Sequence, residues 1–370
     1  MTIYLDVAAA VHGRAGLGRY AESLTRALVA QRPGEFALFY NDDPTAQPLA
    51  GLEAVPTRRV RAGYKPWRMA VWAGQALRLP FNRLLPEATL YHATEHLLLP
   101  LANVPTVLTV HDLIFHRFPQ YHKRLNYWYL RLTMPLYVRR ASAVVAVSQA
   151  TRNDLVELYG TPPAKIHVIH EAAAPQFRPA SPQGVASVRE RYALPQRFLL
   201  TVGTVEPRKN LPGLLRALHR LTDVSLVAAG GTGWLPEETF RTCEELGLGD
   251  RVRWLGYVPD ADLPALYSAA DAVALPSFYE GFGLPVLEAM SCGAPVLCSR
   301  SSSLPEVGGD AARYFDPHQP AEMAAVIDQV WADESLRSEM RAAALRRAAG
   351  FSWGETARQT YALYQALLKA

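Results

Sequence analysis

The sequence contains little cysteine and no long apolar segment. Only three of its 370 residues are cysteines, and none stands in C-x-x-C spacing, so neither a disulfide framework nor a thiolate zinc site is supported. This favours a reduced, cytoplasmic compartment. No apolar run approaches the roughly 18 residues of a membrane-spanning helix, and residues 1–6 lack the basic start and apolar centre of a signal peptide.

The two halves of the chain carry opposite charge. Hydrophobic residues make up 49% of the chain and charged residues 19%, which excludes a wholly disordered or fibrous protein. Residues 1–185 contain 20 Lys and Arg against 12 Asp and Glu, and residues 186–370 contain 18 against 22, so the halves carry +8 and −4. At roughly 100 to 200 residues per domain, the length indicates two domains, and the basic one is expected to face an anionic partner.

Short β-branched runs alternate with amphipathic stretches of helical length, and this pattern occurs twice. It predicts an α/β protein with two doubly wound, Rossmann-like domains that face each other across a cleft and bind ligand at the carboxyl ends of their strands. Residues 171–184 contain three prolines, which predicts a linker between domains 1–175 and 190–352. Ser352 and Glu355 form a capping-box pattern before a predicted last helix, 353–370. The predicted strands are 3–7, 36–40, 106–110, 143–147 and 166–169 in the first half, and 198–202, 225–229, 252–255, 272–275, 295–298 and 313–315 in the second.

The loop after the fourth predicted strand of the second half carries two glutamates, Glu280 and Glu288. Gly281 and Gly283 lie between them and allow the backbone to approach a ligand closely, while Pro285 suits the first turn of a helix. Both carboxylates can then face one ligand, and the helix N-terminus offers unpaired N–H groups to a phosphate. The alternative is an ordinary strand-to-helix loop in which Glu288 complements the helix dipole.

A second loop has two cations, Arg208 and Lys209, at the start of a predicted helix whose N-cap is Asn210. This is the unfavourable end of the helix dipole for positive charge. The arrangement therefore indicates an anion between the two side chains, and a diphosphate is the natural candidate. A solvated surface pair is the alternative.

In the first half, Gly16 and Gly18 belong to a G-x-G-x-x-A pattern that opens a predicted helix. A dinucleotide-binding oxidoreductase would combine this pattern with Asp42 as the ribose acid. Residues 8–15 separate the glycines from the preceding strand, which is too long for the tight turn of that fold. A phosphate-facing glycine loop is therefore favoured.

His111 follows directly after the predicted strand 106–110. At the carboxyl end of a strand, an imidazole can contact a sugar or an acceptor hydroxyl. A hydrogen-bonded structural histidine is the alternative.

Two weaker patterns concern metal and membrane. Asp260 and Asp262 resemble the D-x-D of some divalent-cation sites, but they precede a helix and are predicted to cap it, so no metal is assigned. Residues 58–83 contain seven Lys and Arg, no acid and several aromatic residues, and residues 115–140 repeat the mix. This composition suits an anionic membrane surface or a lipid-diphosphate acceptor better than nucleic acid, with an ordinary solvated basic face as the alternative.

Together these motifs resemble the retaining family 4 glycosyltransferases of GT-B fold. The resemblance spans nearly the whole chain and is carried by segments 16–20, 110–112, 202–210 and 280–288. It implies an acceptor-binding first domain, a donor-binding second domain and a last helix that crosses back to the first. It also implies a role for each motif: Arg208 and Lys209 on the donor diphosphate, Glu280 and the backbone of Phe282, Gly283 and Leu284 on the donor sugar, Glu288 on the ribose, Gly16 and Gly18 at the phosphates, and His111 beside the sugar.

The resulting expectation is a retaining, metal-independent hexosyltransferase without a cofactor, with Glu280, His111, Arg208 and Lys209 as catalytic residues. It would move a hexose from a nucleotide diphosphate sugar to a saccharide or lipid-linked acceptor. Similarity around residues 278–283 to mannosyl-transferring relatives favours GDP-mannose, with UDP-glucose or another donor left open. The alternatives are a nucleotide-sugar epimerase or hydrolase, or a non-catalytic nucleotide-sugar-binding scaffold at a membrane. The expected location is the cytoplasm, including the inner face of the membrane, with no nucleic-acid partner.

Overall fold

The computed structural model describes residues 2–121 and 123–369 and divides into two units, Met1–Ala172 with Ser352–Ala370, and Ala173–Phe351. The strands are β1 Thr2–Asp6, β2 Phe36–Asp42, β3 Thr57–Arg61, β4 Ala88–Ala93, β5 Thr106–Val110, β6 Ala143–Ala146, β7 Ile166–Val168, β8 Leu199–Val202, β9 Leu226–Ala229, β10 Val252–Gly256, β11 Ala272–Leu275, β12 Val296–Ser299 and β13 Ala312–Phe315. The helices are α1 Ala8–Val11, α2 Ala15–Gln31, α3 Tyr64–Leu77, α4 Ile114–Arg117, α5 Arg124–Arg140, α6 Gln149–Tyr159, α7 Pro182–Arg191, α8 Leu211–His219, α9 Glu237–Glu245, α10 Leu263–Ala269, α11 Leu284–Ser291, α12 Leu304–Gly308, α13 Pro320–Ala332, α14 Glu334–Ala348 and α15 Trp353–Lys369.

The first unit contains a parallel sheet of seven strands in the order β3-β2-β1-β4-β5-β6-β7. The five predicted strands of this half are confirmed, with ends shifted by at most two residues. β3 and β4 are additional. β3 is a mostly exposed edge strand of sequence TRRVR, and β4 includes the fully buried His92, whose ring nitrogens bond Thr109 and Tyr364. Neither strand has the apolar run that predicts a buried strand.

The second unit contains a parallel sheet of six strands in the order β10-β9-β8-β11-β12-β13. All six predicted strands of this half are confirmed to within one residue at each end. Each sheet is followed along the chain by helices, and each unit has a large hydrophobic cluster of buried side chains. The prediction of an α/β protein with two doubly wound units is therefore confirmed.

The predicted linker 171–184 is wrong in its last residues, because α7 begins at Pro182. The Ser181 hydroxyl accepts a hydrogen bond from the Gly184 N–H at 3.1 Å, and proline is favoured in a first helical turn because its missing N–H has no partner there anyway. The predicted ranges 1–175 and 190–352 leave residues 176–189 unassigned, and the structure includes them in the second unit.

The last helix, α15, belongs to the first unit, where it packs against α2 and β4. Ser352 accepts a hydrogen bond from the Glu355 N–H at 3.1 Å, as the capping-box pattern predicts. Tyr364 is fully buried, and its hydroxyl bonds the His92 Nδ1 at 2.5 Å. Ala370, the last residue of the predicted helix, lies outside the described residues.

Each sheet has one point at which the strand order reverses. In the first sheet this point lies between β1 and β4, and in the second between β8 and β11. Loops that follow such a strand pair diverge to opposite sides and leave a crevice, which is where ligands bind in open α/β sheets. The carboxyl ends of these four strands are therefore the positions to examine for function.

Candidate functional site

The loop after β8 is held in place by Asn210. This residue adopts a left-handed conformation (φ 52°, ψ 37°) between a 3-10 turn, Pro207–Lys209, and α8. Its side chain accepts a hydrogen bond from the Gly213 N–H at 3.2 Å, so the predicted N-cap is confirmed. The same side chain donates to the carbonyls of Pro276 and Pro317 at 3.1 and 2.8 Å. One amide thereby joins the loops that follow β8, β11 and β13.

The loop after β11 leads into α11, which begins at Leu284. Pro285 lies in the first turn of this helix, as predicted. Gly283 has φ +106°, and a Cβ at this position would lie 2.7 Å from the Leu304 side chain, so glycine is required there. Ser303 donates from its hydroxyl to the carbonyls of Glu280 and Phe282 at 3.0 and 2.7 Å. Ser303, which lies in the segment after β12, therefore fixes the backbone of the predicted glycine-rich loop.

The Glu280 side chain is the centre of the site. It is buried, and Oε2 accepts a hydrogen bond from Arg208 Nη1 at 2.6 Å. Oε1 accepts from Lys209 Nζ at 2.7 Å and from the Ser277 hydroxyl at 2.6 Å. Burial on its own would raise the pKa of Glu280, but the charges of Arg208 and Lys209 outweigh it and lower the pKa to about 2. Glu280 is thus a stable carboxylate at neutral pH.

A second buried carboxylate, Glu206, completes the cluster. Its Oε1 accepts hydrogen bonds from Arg208 Nε at 3.0 Å and Nη2 at 2.6 Å. Two carboxylates and two cations therefore balance each other. The sequence predicts an anion between Arg208 and Lys209, and in this structure that anion is the carboxylate of Glu280.

Glu288 lies in α11 and has a different partner from Glu280. It is the fifth residue of α11, is buried, and accepts a hydrogen bond from the Tyr267 hydroxyl at 3.1 Å. Phe282 is also buried, and its ring packs edge-on against Phe351 with centroids 6.0 Å apart. Of the predicted donor-binding residues, the structure brings Arg208, Lys209 and Glu280 into direct contact.

Gly16 and Gly18 are not in a loop, which corrects the prediction of a glycine loop. Both lie in the first turns of α2, and the preceding segment contains the short helix α1. A Cβ at Gly18 would lie 2.8 Å from the Ala9 carbonyl oxygen, whereas a Cβ at Gly16 would meet nothing within 4 Å. Gly18 is therefore explained by the close packing of α2 on α1. The role of the two glycines at phosphates stays a prediction.

His111 is buried at the end of β5 with both ring nitrogens engaged. Nε2 donates to the Thr94 carbonyl at 2.9 Å, and Nδ1 lies 3.0 Å from Glu171 Oε1. Burial opposes a charged ring, but the Glu171 carboxylate outweighs burial and raises the pKa of His111. Both ring nitrogens are therefore engaged, and the Glu171 carboxylate favours the protonated ring. This geometry is that of the hydrogen-bonded structural histidine, and a contact with sugar stays a prediction.

Asp262 does not cap α10 with its side chain, contrary to the prediction. Its carboxylate instead binds Arg191 Nη1 at 2.7 Å and the Tyr192 hydroxyl at 2.6 Å. Asp42, the acid of the dinucleotide alternative, accepts a hydrogen bond from Arg59 at 3.2 Å. Within the described part of the chain, no three His, Cys, Asp or Glu side chains are arranged to hold a metal ion.

The two basic, aromatic segments, 58–83 and 115–140, each contain both buried and exposed side chains. Trp67 and Val71 of α3 are buried, whereas Leu125 and Leu132 of α5 are 89% and 63% exposed. Arg68 lies over the Tyr129 ring at 3.7 Å. Among residues 2–121 and 123–369, no helix is both long and apolar enough to cross a membrane.

Three acidic side chains of these sites were not singled out by sequence reasoning: Glu95, Glu171 and Glu206. Each is buried and paired with a cationic partner. Their common signal is a glutamate in an irregular segment that follows a strand of a parallel sheet. This signal is visible in the sequence for Glu206, which lies within the Arg-Lys motif, but Glu171 falls in the predicted linker and Glu95 follows the unpredicted strand β4.

The fold defines the class of the protein. Sucrose-phosphate synthase (tll1590) from Thermosynechococcus elongatus matches it with a TM-score of 0.81 and 22% identity, over 100% of this chain and 99% of that one. The architecture is therefore the GT-B fold of glycosyltransferases.

Sequence comparison identifies the family. The family model of "Glycosyltransferase Family 4" matches residues 14–176, and the family model of "Glycosyl transferases group 1" matches residues 187–347. The O-antigen chain mannosyltransferase B of Escherichia coli is 34% identical over 95% of this chain and 96% of its own length. The D-inositol 3-phosphate glycosyltransferase of Salinispora arenicola is 33% identical over 59% of this chain and 53% of its own length. The chain belongs to glycosyltransferase family 4.

Proposed function

We propose that this glycosyltransferase moves mannose from GDP-mannose, with retention of the anomeric configuration, to a saccharide or lipid-linked acceptor in polysaccharide biosynthesis. The observation that carries the proposal is the Glu280 carboxylate between Arg208 and Lys209 at the strand-order reversal of the second sheet. The similarity to a mannosyltransferase over nearly the whole chain supports the choice of sugar. The second unit binds the donor, and the basic first half binds the acceptor.

The cations supply the main electrostatic contribution to the reaction. When the bond between the anomeric carbon and the diphosphate breaks, negative charge grows on the leaving group. The Lys209 ammonium has three N–H groups, of which one donates to Glu280, so two remain to donate to the diphosphate. The N-termini of α8 and α11 add further positive partial charge. This arrangement needs no metal ion or cofactor, and both absences are part of the proposal.

Glu280 acts as a fixed anion beside the donor sugar. With its pKa at about 2, it stays ionised throughout the neutral range. A carboxylate can accept hydrogen bonds from hexose hydroxyls and can stabilise the positive charge that develops at the anomeric carbon. The backbone of Phe282, Gly283 and Leu284 lines the other side of the hexose, and Glu288 accepts hydrogen bonds from the ribose.

The state of Glu280 argues against the hydrolase alternative. A glycosidase needs one carboxylic acid that is protonated near neutral pH, so that it can donate a proton to the leaving group. The Arg208 and Lys209 charges have the opposite effect on Glu280. A product assay distinguishes a transferase from the epimerase and scaffold alternatives, because only a transferase releases nucleotide together with a glycosylated acceptor.

A surface of α3 and α5 is proposed to contact an anionic membrane. Leu125, Trp128 and Leu132 recur at helical spacing on α5 and are more than half exposed, and α3, which packs on α5, exposes Leu77. Arg131 lies between Trp128 and Leu132 in the sequence of α5. Exposed apolar side chains with nearby arginines suit the interface of an anionic bilayer.

The membrane proposal is tested by co-sedimentation with vesicles of phosphatidylcholine with and without phosphatidylglycerol. Binding should rise with the anionic lipid, fall with salt, and weaken in Trp128→Ser. The matched control is Tyr257→Ser, which changes an aromatic residue of the second unit that is 74% exposed. The membrane proposal would be contradicted if binding did not depend on lipid charge, or if both variants reduced binding equally.

The catalytic proposal is tested by incubating the purified protein with GDP-mannose, UDP-glucose and dTDP-glucose in the presence of EDTA. Release of nucleotide should require an added saccharide acceptor, and the NMR spectrum of the product should show the anomeric configuration of the donor. Thermal shifts should be largest with GDP and GDP-mannose, because a ligand at 100 times its Kd adds about 2.7 kcal/mol of apparent stability. Inverted product, donor epimerisation without transfer, or loss of activity in EDTA would each refute the corresponding part of the proposal.

A further inference from the structure

The strand order of the first unit predicts a ligand crevice at the reversal point of its sheet. β1 and β4 are neighbours, and the chain continues from β1 to β2 and β3 on one side and from β4 to β5 on the other. Asp6 is the last residue of β1, and Glu95 lies two residues after β4. By the rule for open α/β sheets, the space beyond these two strand ends is where a ligand enters.

Glu95 has one carboxylate oxygen without a partner at this position. Its side chain is 4% exposed, and Oε2 accepts a hydrogen bond from Arg14 Nη1 at 2.5 Å. Oε1 has no hydrogen-bond partner among the residues that the structure describes, and neither has the His96 Nε2 beside it in sequence. A buried polar atom without a partner is destabilising, and more so when it is charged. Such an atom in a ligand crevice indicates a missing hydrogen-bond donor.

The surroundings hold this carboxylate rigidly. The Arg14 guanidinium lies over the Tyr64 ring at 3.8 Å from its centroid, and Arg68 lies over the same ring at 5.0 Å. Contact with an aromatic ring restricts a guanidinium group. Arg14 therefore fixes one oxygen of Glu95 and leaves the other available to a ligand.

The chemistry at this point selects a hydroxyl group rather than a phosphate. The Asp6 carboxyl accepts hydrogen bonds from the Ala8 N–H at 2.8 Å and the Tyr91 hydroxyl at 2.7 Å. Burial and the nearby charge of Glu95 raise the pKa of Asp6 to about 7, so a further negative charge is disfavoured beside these two carboxyl groups. A phosphate oxygen against Glu95 Oε1 would add to that repulsion and has no proton to donate. A sugar hydroxyl donates a proton and carries no charge.

The geometry points to Glu95 as the residue that recognises the acceptor, through a hydrogen bond from a hydroxyl of an uncharged saccharide to its free oxygen, with Arg14 as the residue that positions it. This inference rests on the proposed function, since it assigns the acceptor class of the same transfer reaction.

The experiment compares two probes that match the relatives of this chain, a mannotriose and D-inositol 3-phosphate. Each is titrated calorimetrically into the full-length protein saturated with GDP. In Glu95→Gln, the affinity for mannotriose should fall about 10- to 100-fold, which corresponds to the loss of one hydrogen bond to a charged group. The affinity for GDP should stay within twofold, and inositol phosphate should bind no better than mannotriose to the wild-type protein.

Two further variants separate recognition from folding. Glu95→Asp keeps the charge but shortens the side chain by one CH2 group, so it should fold and still weaken mannotriose binding. Glu22→Gln is the matched control, because Glu22 is a partly exposed glutamate of the same unit that pairs with Arg26 at 2.7 Å. Equal mannotriose affinity in all variants, or no mannotriose binding by a wild-type protein that still binds GDP, would overturn the inference and leave the proposed donor site intact. Failure to bind GDP would instead refute the proposed function and the inference with it.

Discussion

Replacing Lys209 by methionine removes one of the two cations that contact Glu280 and leaves an apolar chain of similar length. In the structure, Lys209 Nζ lies 2.7 Å from Glu280 Oε1 and its side chain is only 13% exposed. A preorganised charge in such a site contributes about 2–4 kcal/mol to transition-state stabilisation. Since 1.36 kcal/mol corresponds to a factor of ten, kcat/KM should fall about 30- to 1000-fold.

The assay is steady-state transfer from GDP-mannose, with two variants beside Lys209→Met. Lys209→Arg retains the charge and should recover much of the activity. Arg216→Met removes a cation from the adjacent helix α8, where Arg216 is half exposed and lies 3.5 Å from Glu238, so its effect should stay within twofold.

Removing Lys209 also leaves the buried Glu280 with Arg208 as its single cation, which costs stability. Circular dichroism and urea unfolding of the variant therefore accompany the kinetics. A folded Lys209→Met protein whose kcat/KM lies within twofold of the wild type would refute the assignment of Lys209 to the diphosphate.

Three other predictions concern stability and titration. Because the pKa of Glu280 is lower in the folded protein than its ordinary value of 4.5, its stabilisation is complete above about pH 4.5 and lost as the pH falls; between pH 6 and pH 3 the wild type should lose about 2 kcal/mol that Glu280→Gln does not, as urea unfolding at both pH values would show. Gly18→Ala should destabilise the protein by about 1–3 kcal/mol through overpacking, whereas Gly16→Ala in the same helix should stabilise it by about 0.5–1 kcal/mol; equal midpoints in denaturation would contradict the packing argument. Glu171→Gln should lower the pKa of His111 relative to the wild type, because burial, which lowers the pKa, is then opposed only by the Thr94 carbonyl and the charge of Asp112; an unchanged His111 resonance in a 15N NMR titration would show that Glu171 does not raise it.

The buried strands could be predicted from the sequence because a parallel sheet covered on both faces demands continuous apolar runs. β8, β11 and β12 satisfy this demand and are found within one residue of the expected ends. β3 could not be found in this way, because it is an exposed edge strand whose arginines face solvent. β4 was missed because it buries His92, whose polar ring is satisfied by partners distant in sequence.

The local features of the site could be predicted from the sequence, whereas the contacts between its charged side chains could not. The cap by Asn210 and the proline in the first turn of α11 depend on neighbouring residues alone. The contact of Arg208 with Glu280 joins residues 72 positions apart and follows from the adjacency of β8 and β11, which no local pattern encodes. At Gly18 the sequence pattern does not reveal the packing constraint: a Cβ there would lie 2.8 Å from the Ala9 carbonyl oxygen, a contact between two helices that no local pattern encodes.

Whether the cluster of Arg208, Lys209 and Glu280 binds the donor can be seen in a crystal structure of the protein with GDP-mannose. We expect the diphosphate within hydrogen-bond distance of Lys209 Nζ, the mannose against Glu280, and the ribose hydroxyls on Glu288. A nucleotide bound at other strand ends, with the contacts between Glu280 and its two cations undisturbed and free of ligand, would contradict it.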